Sequence, residues 1–462
     1  MGNATSKRLI GIGFDGKPIY APKPSHSLLL AAAGSRKTTC GAVPWLLSLM
    51  ADKSRAIVIN DCKDGEIAAQ CADLCHAYGR NVVILDDFCV LGKDNPYRLS
   101  MTPFGNVLAA HEKQTGELIF ASENTNHALI TEPPNDARNQ YWRDEPRTLI
   151  EFAMLALLKR KAHLATPGGV WSLIGNPQTL LDAAKIEAEE GDEVLSALAL
   201  HILDMRENNA EHFGQHRGTA LKALRIYSAG SPLHHAGVDS DASHFDLIKD
   251  KCVVFIVGPQ RHMARLGAHY ALQLQSFMEA LLTGHAGAVD FILDEFTNAP
   301  LQALISALTT MRGYGGNCHM IAQSRSEVQR KYGEKETATI EENAVVKQWF
   351  GFSSFEEAER VSRAMGEDRI ITHGLGYNSG QLDYSGNLST GKDRLFSAEQ
   401  LMRLNADEQI LHVKDIGFVH CRKLGQNQIA PFCHGELADN PLEGGQLPPD
   451  PKVTLNIGKN RK

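Results

Sequence analysis

The chain has 462 residues, 43% hydrophobic and 22% charged, which excludes a disordered polypeptide and leaves room for a large buried core. Forty-seven Lys and Arg against 54 Asp and Glu give a formal net charge of −7, so the overall basic excess of a protein that coats nucleic acid without specificity is excluded. No apolar stretch reaches the roughly 18 to 20 residues that cross a bilayer, and nine cysteines without a paired CxxC framework point to a reducing compartment.

In chain order, short β-branched or aliphatic runs recur with helix-length segments between them, the pattern of a sheet covered by helices on both faces. Core strands are expected at Ser27 to Ala32, Ala56 to Asn60, Asn81 to Leu85, Cys252 to Val257, Val289 to Leu293, His319 to Ala322 and Val345 to Phe350. Residues 105–245 lack such runs and show helical spacing, as in Leu149, Phe152, Ala153, Ala156 and Leu157, so an all-helical insertion is expected there. From Gly105 to Asp250 there are 21 acidic and 13 basic side chains, a net of −8 against −7 for the whole chain. The remainder is therefore close to neutral. Trp142 and Trp171 of this stretch are assigned to its core. The Gly- and Ser-rich segment His373 to Gly391 reads as a flexible loop, Gln409 to Val413 and Phe418 to Arg422 as two late strands, and 441–462 as a flexible tail ending in Lys459, Arg461 and Lys462. The organisation expected is a nucleotide-binding domain in two parts, 1–104 and 246–440, around the helical insertion 105–245.

The first core strand runs into Gly34-Ser35-Arg36-Lys37-Thr38-Thr39 and then a helix containing Trp45, Leu46 and Leu47. Strand, small-residue loop, Lys-Thr and helix make a phosphate cradle. Backbone N–H groups face the anion, Lys37 supplies a point charge to the terminal phosphate oxygens, and the Thr38 hydroxyl holds magnesium. The full pattern G-x-x-x-x-G-K-[ST] would place Gly where this chain has Ala31 and Arg36. A side chain forced into left-handed backbone at that position costs about 1 to 2 kcal/mol. Arg36 either stacks a second positive charge on the phosphates or plugs the pocket. The plain alternative is a strand-loop-helix with an incidental Lys-Thr.

Val289 to Leu293 ends in Asp294-Glu295, an apolar strand closed by adjacent carboxylates. Asp294 is expected in the magnesium shell and Glu295 as the base for an attacking water; the plain alternative is that both acids cap the next helix. Beyond them lie Met311-Arg312-Gly313-Tyr314-Gly315, with Arg312 as a candidate arginine finger, and an apolar strand ending in Gln323, placed where ligands meet open α/β sheets.

The order and content of these motifs resemble the type IV secretion coupling proteins, the TraG/TraD/TrwB class of conjugative DNA-transfer ATPases. The likeness spans nearly the whole chain: Gly11 to Lys17, His26 to Thr38, Asp61-Cys62-Lys63-Asp64-Gly65-Glu66, Phe291 to Phe296, Met311 to Gly315, Ile321 to Ser324 and Leu395 to Leu404. Ala32-Ala33 stand where the family has Pro-Thr. The resemblance implies a RecA-like α/β P-loop domain with an all-α insertion, ATP and Mg2+ as ligands, and a homo-oligomeric ring, by analogy a hexamer, in which Arg312 of one copy serves the next. It further implies a relaxase–DNA complex or secreted effector proteins as cargo, single-stranded DNA as a possible contact, and other secretion components as partners. The family usually begins with membrane helices; this chain starts almost directly at the nucleotide domain, so a cytoplasmic location, peripheral at the inner membrane through partner proteins, is expected. A non-hydrolysing recruitment adaptor of the same fold, with Arg36 in the phosphate site, is the second reading.

Overall fold

The structure, a computed structural model, describes residues 7–457 apart from 23, 114–115, 133–136, 239, 241, 377–384, 443–446 and 456. The chain opens with β1 (Leu9–Ile12), β2 (Pro18–Tyr20) and β3 (Ser27–Leu30). A π-helical turn, Thr38–Ala42, leads into α1 (Val43–Leu49), followed by β4 (Arg55–Asp61), α2 (Glu66–Ala77), β5 (Val82–Leu85) and β6 (Arg98–Leu99). Helices then dominate: α3 (Gly105–Glu112), α4 (Leu118–Leu129), α5 (Tyr141–Lys161), α6 (Pro167–Gly175), α7 (Pro177–Glu190), α8 (Glu193–Asn208), α9 (Ala210–Ala223) and α10 (His244–Lys249). The sheet resumes with β7 (Val253–Val257), α11 (Met263–Leu282), β8 (Ala288–Leu293), α12 (Ala303–Thr310), β9 (Gly316–Ala322), α13 (Arg325–Tyr332), α14 (Glu334–Asn343), β10 (Val346–Trp349) and α15 (Phe355–Met365). After a ribbon of β11 (Glu367–Gly376) and β12 (Ser385–Arg394) come α16 (Ala398–Met402), β13 (Glu408–Val413), β14 (Gly417–Arg422), β15 (Ile429–Ala430) and β16 (Val453–Thr454).

Twelve strands form one sheet in the order β2-β1-β14-β13-β10-β3-β9-β8-β4-β7-β5-β6. From β10 to β6 all neighbours are parallel; β13, β14, β1 and β2 extend the sheet antiparallel. The parallel strands are apolar on both sides because both faces are covered. Leu28, Leu30, Val58 and Phe291 belong to the core shared with α11, whereas Leu29, Ile57, Ile59 and Ile292 pack with Trp45 of α1 and Ile67 of α2. In the helical stretch, α5 is central: Leu149, Ile150, Phe152 and Ala153 are fully buried, and α4, α6, α8 and α9 pack around it.

Three sequence expectations need correction. Part of the Gly/Ser-rich segment is an antiparallel ribbon, with Gly376 opposite Ser385, because paired strands satisfy their backbone even where side chains offer no apolar pattern; 377–384 lie outside the described residues. Within 441–462, β16 pairs with β15 and buries Val453, although Lys459, Arg461 and Lys462 lie outside the described residues. Trp142 is 40% exposed and edges against His212 and Tyr141, since it sits in the first turn of α5, ahead of the buried stripe. Trp171 is half-buried.

Candidate active site

Four chain segments meet at the carboxyl edge of the parallel strands, where the strand order brings them side by side. The loop after β3 carries Lys37, Asp294 and Glu295 follow β8, Gln323 follows β9 between them, and Lys63 follows β4 on the far side of β8. Polar groups that end apolar strands in this way must find partners, and here they find one another. Lys37 Nζ lies 2.9 Å from Glu295 Oε1, and Lys63 Nζ lies 3.2 Å from Asp294 Oδ2 and 3.1 Å from Glu295 Oε1. Gln323 Nε2 donates to the same Glu295 oxygen at 3.3 Å, and Asn298 Nδ2 to the other at 2.8 Å.

The loop has the geometry of a cradle. Gly34 has φ 77° and Arg36 φ 63°, so both occupy left-handed backbone. Arg36 thus adopts the conformation that a glycine would take without strain. Its guanidinium donates to the Ala406 carbonyl at 3.2 Å and lines a cavity of about 390 Å³ with Phe14, Asp407 and Asn427. The Ser35 hydroxyl bonds the Ala32 carbonyl at 2.5 Å, and the buried Thr39 hydroxyl has no hydrogen-bond partner among the described residues. Beneath the loop, Lys423 Nζ donates to the Phe350 carbonyl at 3.0 Å and the Ser35 carbonyl at 3.4 Å; burial pulls this lysine down to about 8.

Burial pushes the Glu295 carboxyl up, but Lys63 and then Lys37 outweigh it and hold it at about 2. Asp294 moves the other way: burial raises it against Lys63, with Glu295 adding repulsion. Asp294 Oδ1 is buried without a hydrogen-bond partner among the described residues, an oxygen that a hydrated cation would satisfy. Thr38 Oγ1 donates to Glu66 Oε2 at 3.3 Å, and Asn440 Nδ2 grips the second Glu66 oxygen at 2.7 Å. Hydroxyl, free carboxylate oxygen and lysine form a set that suits a magnesium-bound phosphate.

Arg312 is elsewhere. It lies exposed in the turn before β9, at the amino edge of the sheet, and β9 carries seven residues. At about 3.3 Å per residue, roughly 20 Å separate it from Gln323 at the other end. Lys63, Asn298 and Glu66 are the site residues that sequence reasoning gave no role. For Lys63 and Glu66 the available signal was the charged run Lys63-Asp64-Gly65-Glu66 close behind the buried strand β4.

The sequence model for the type IV secretory system conjugative DNA transfer family matches residues 4–434. The chain belongs to this family. VirD4 of Rhizobium radiobacter is 26% identical to this member over 279 residues, 59% of this chain and 40% of that protein. The chain thus spans about 40% of the length of the curated relatives it matches. Among solved structures, the bacterial conjugative coupling protein TrwBdeltaN70 superposes with a TM-score of 0.68 at 15% identity, covering 92% of this chain and 89% of that one. The plasmid coupling protein TrwB in complex with ADP and Mg2+ gives 0.65 at 14%, covering 92% of each. The RecA-like α/β fold expected from the sequence is therefore the fold of this family member. Among the described residues, no helix is long and apolar enough to cross a membrane.

Proposed function

We propose that this chain is the ATPase of a type IV secretion coupling system, turning over Mg2+–ATP at the edge where Lys37, Lys63, Asp294, Glu295 and Gln323 meet. The observation that carries this reading is the Lys37–Glu295 ion pair, which ties the phosphate loop to the carboxylate that ends β8. Lys37 is held on Glu295 until a more strongly charged anion draws it off. Its departure removes one of the two cations that depress Glu295, so burial raises the carboxyl toward a useful base. Glu295 then takes the proton of the attacking water, while Gln323, already bonded to Glu295, orients it. Thr38 and Asp294 would hold magnesium, which neutralises charge on the phosphate oxygens when bound. The backbone of Gly34 to Thr39 would cradle the phosphates.

Arg312, on the opposite edge from Lys37, serves the site of a neighbouring copy in a head-to-tail ring, by family analogy a hexamer. The acidic helices of 105–245, an inserted domain in this reading, receive a basic relaxase–DNA complex or effector protein, since opposite charge steers encounter. Other secretion components hold the chain at the inner membrane from the cytoplasmic side.

The deciding measurement is ATP binding and hydrolysis by the purified chain, with and without single-stranded DNA. Glu295→Gln is expected to bind ATP with turnover reduced about 100-fold or more. Wild type is expected to bind ATP without Arg36→Gly; if binding appeared only after that substitution, the chain would be a recruitment adaptor and the ATPase reading would fall.

A further inference from the structure

Arg36 holds φ at 63°, in the left-handed region where a side chain is strained. The direct relief is rotation of the peptide between Ser35 and Arg36, which carries Arg36 to a negative φ and turns the Ser35 carbonyl over with it. That peptide is trans, so its carbonyl and the Arg36 N–H point in opposite directions. As the loop stands, the Ser35 carbonyl is turned down to Lys423, and the Arg36 N–H, directed the other way, donates to no acceptor among the described residues. Rotation would put the carbonyl where the N–H now is, with its oxygen facing the phosphates.

Lys423 is placed to hold that carbonyl. It directly follows β14, is 5% exposed, and its Nζ reaches the Phe350 carbonyl at 3.0 Å as well as that of Ser35 at 3.4 Å. The Phe350 ring faces the same ammonium, with its centroid 4.9 Å away. Phe350 is itself tied to the sheet, its N–H donating to the Leu30 carbonyl at 3.1 Å, and the Lys423 N–H donates to the Asp407 carbonyl at 2.7 Å. One end of the grip is therefore rigid. The other end is the strained peptide. Burial pulls the ammonium down to about 8, and its hydrogen-bond acceptors are carbonyls rather than carboxylates. A buried cation without a carboxylate partner is costly to the fold, which points to a task beyond packing.

We propose that Lys423 is a positioning residue for the nucleotide: it holds the Ser35 carbonyl out of the phosphate cradle and so keeps the Arg36 N–H turned in. A charged hydrogen bond from 388 residues along the chain thus does what a glycine at position 36 would do through its backbone alone. The inference rests on the ATPase reading above. It also accounts for how the loop keeps its shape with an arginine in the glycine position.

The test is a double-mutant cycle on the affinity of the full chain for Mg2+–ATP, measured by equilibrium binding. Lys423→Met is expected to weaken binding about tenfold or more, the loss of a hydrogen bond from a charged donor. In an Arg36→Gly background the same substitution is expected to cost less than about threefold, because positive φ is then free of strain and the carbonyl stays down unaided. Lys423→Gln, shorter and uncharged, is measured beside it with the same pattern expected, so that a Met variant that fails to fold does not end the test. In turnover the loss is expected in KM rather than kcat, since Lys423 touches neither Glu295 nor Gln323. Variants that bind ATP as wild type does, or that lose as much in the Arg36→Gly background as without it, would overturn the inference and leave the ATPase reading standing. A wild-type chain that binds no ATP would remove that reading, and the inference with it.

Discussion

Glu295 sits at φ 48°, a left-handed conformation that a residue with a side chain adopts at a cost, and its carboxylate is gripped by Lys63, Lys37, Gln323 and Asn298. Its lowered pKa links the site to stability. The carboxyl sits at about 2 in the fold against an ordinary 4.5, so its stabilising contribution is complete above about pH 4.5 and is lost as pH falls toward 2. In Lys63→Met, two buried carboxylates share Lys37 alone. Denaturant unfolding of the nucleotide-free chain is expected to show the variant less stable than wild type at pH 7, with the gap narrowing as the pH is lowered. A gap that stayed constant from pH 7 to pH 3 would show that Lys63 acts by packing rather than charge. This residue illustrates the limit of the sequence: Lys37, Asp294 and Glu295 stood out through local motifs, whereas the partners of Lys63 lie far along the chain and only the strand order β8-β4 makes them neighbours. Arg36 was legible in a different way, because the motif itself demanded left-handed backbone there and φ 63° meets that demand.

At the scale of elements, α2 is fixed to the sheet from its own preceding strand. Asp61, the last residue of β4, accepts from the N–H groups of Ile67 at 2.9 Å and Ala68 at 2.7 Å, doing for α2 what a capping side chain does. That anchorage points Glu66 at Thr38 and lets Asn440 clasp it from the C-terminal segment. Asp61→Ala is expected to cost about 2 kcal/mol, the upper end for a lost cap, because two buried N–H groups lose their acceptor. Asp61→Asn, which keeps one acceptor oxygen, should cost clearly less in the same unfolding measurement; equal losses would remove the capping argument. The seven core strands were readable because strands buried on both faces are continuous apolar runs. β1, with Gly11 inside Leu9-Ile10-Gly11-Ile12, and the three-residue β2 carry too little pattern to be seen. Their place is set by tertiary contacts: a Cβ on Gly11 would stand 2.6 Å from Gln409 Nε2, so close approach to β13 is what this glycine permits.

For the whole molecule, the decisive fact is that Lys37 and Arg312 occupy opposite edges of one sheet. If Arg312 is the finger proposed above, it cannot reach the site of its own copy and acts between copies, where an arginine finger contributes about 10³ or more to turnover. Lys37→Ala and Arg312→Ala are each expected to be nearly inactive alone. Mixed, they should recover ATPase activity, because an intact Lys37 on one copy then meets an intact Arg312 on its neighbour. Failure of the mixture to exceed its parts, with co-assembly shown by sedimentation, would remove the shared site. In that proposal each copy is a link with a giving end and a receiving end, and links of that kind join into a closed circle or an open spiral. In an open row one terminal copy always waits for an arginine that nobody supplies. Only when the last member touches the first is every position complete, so the fuel-burning state would be recognised by closure itself.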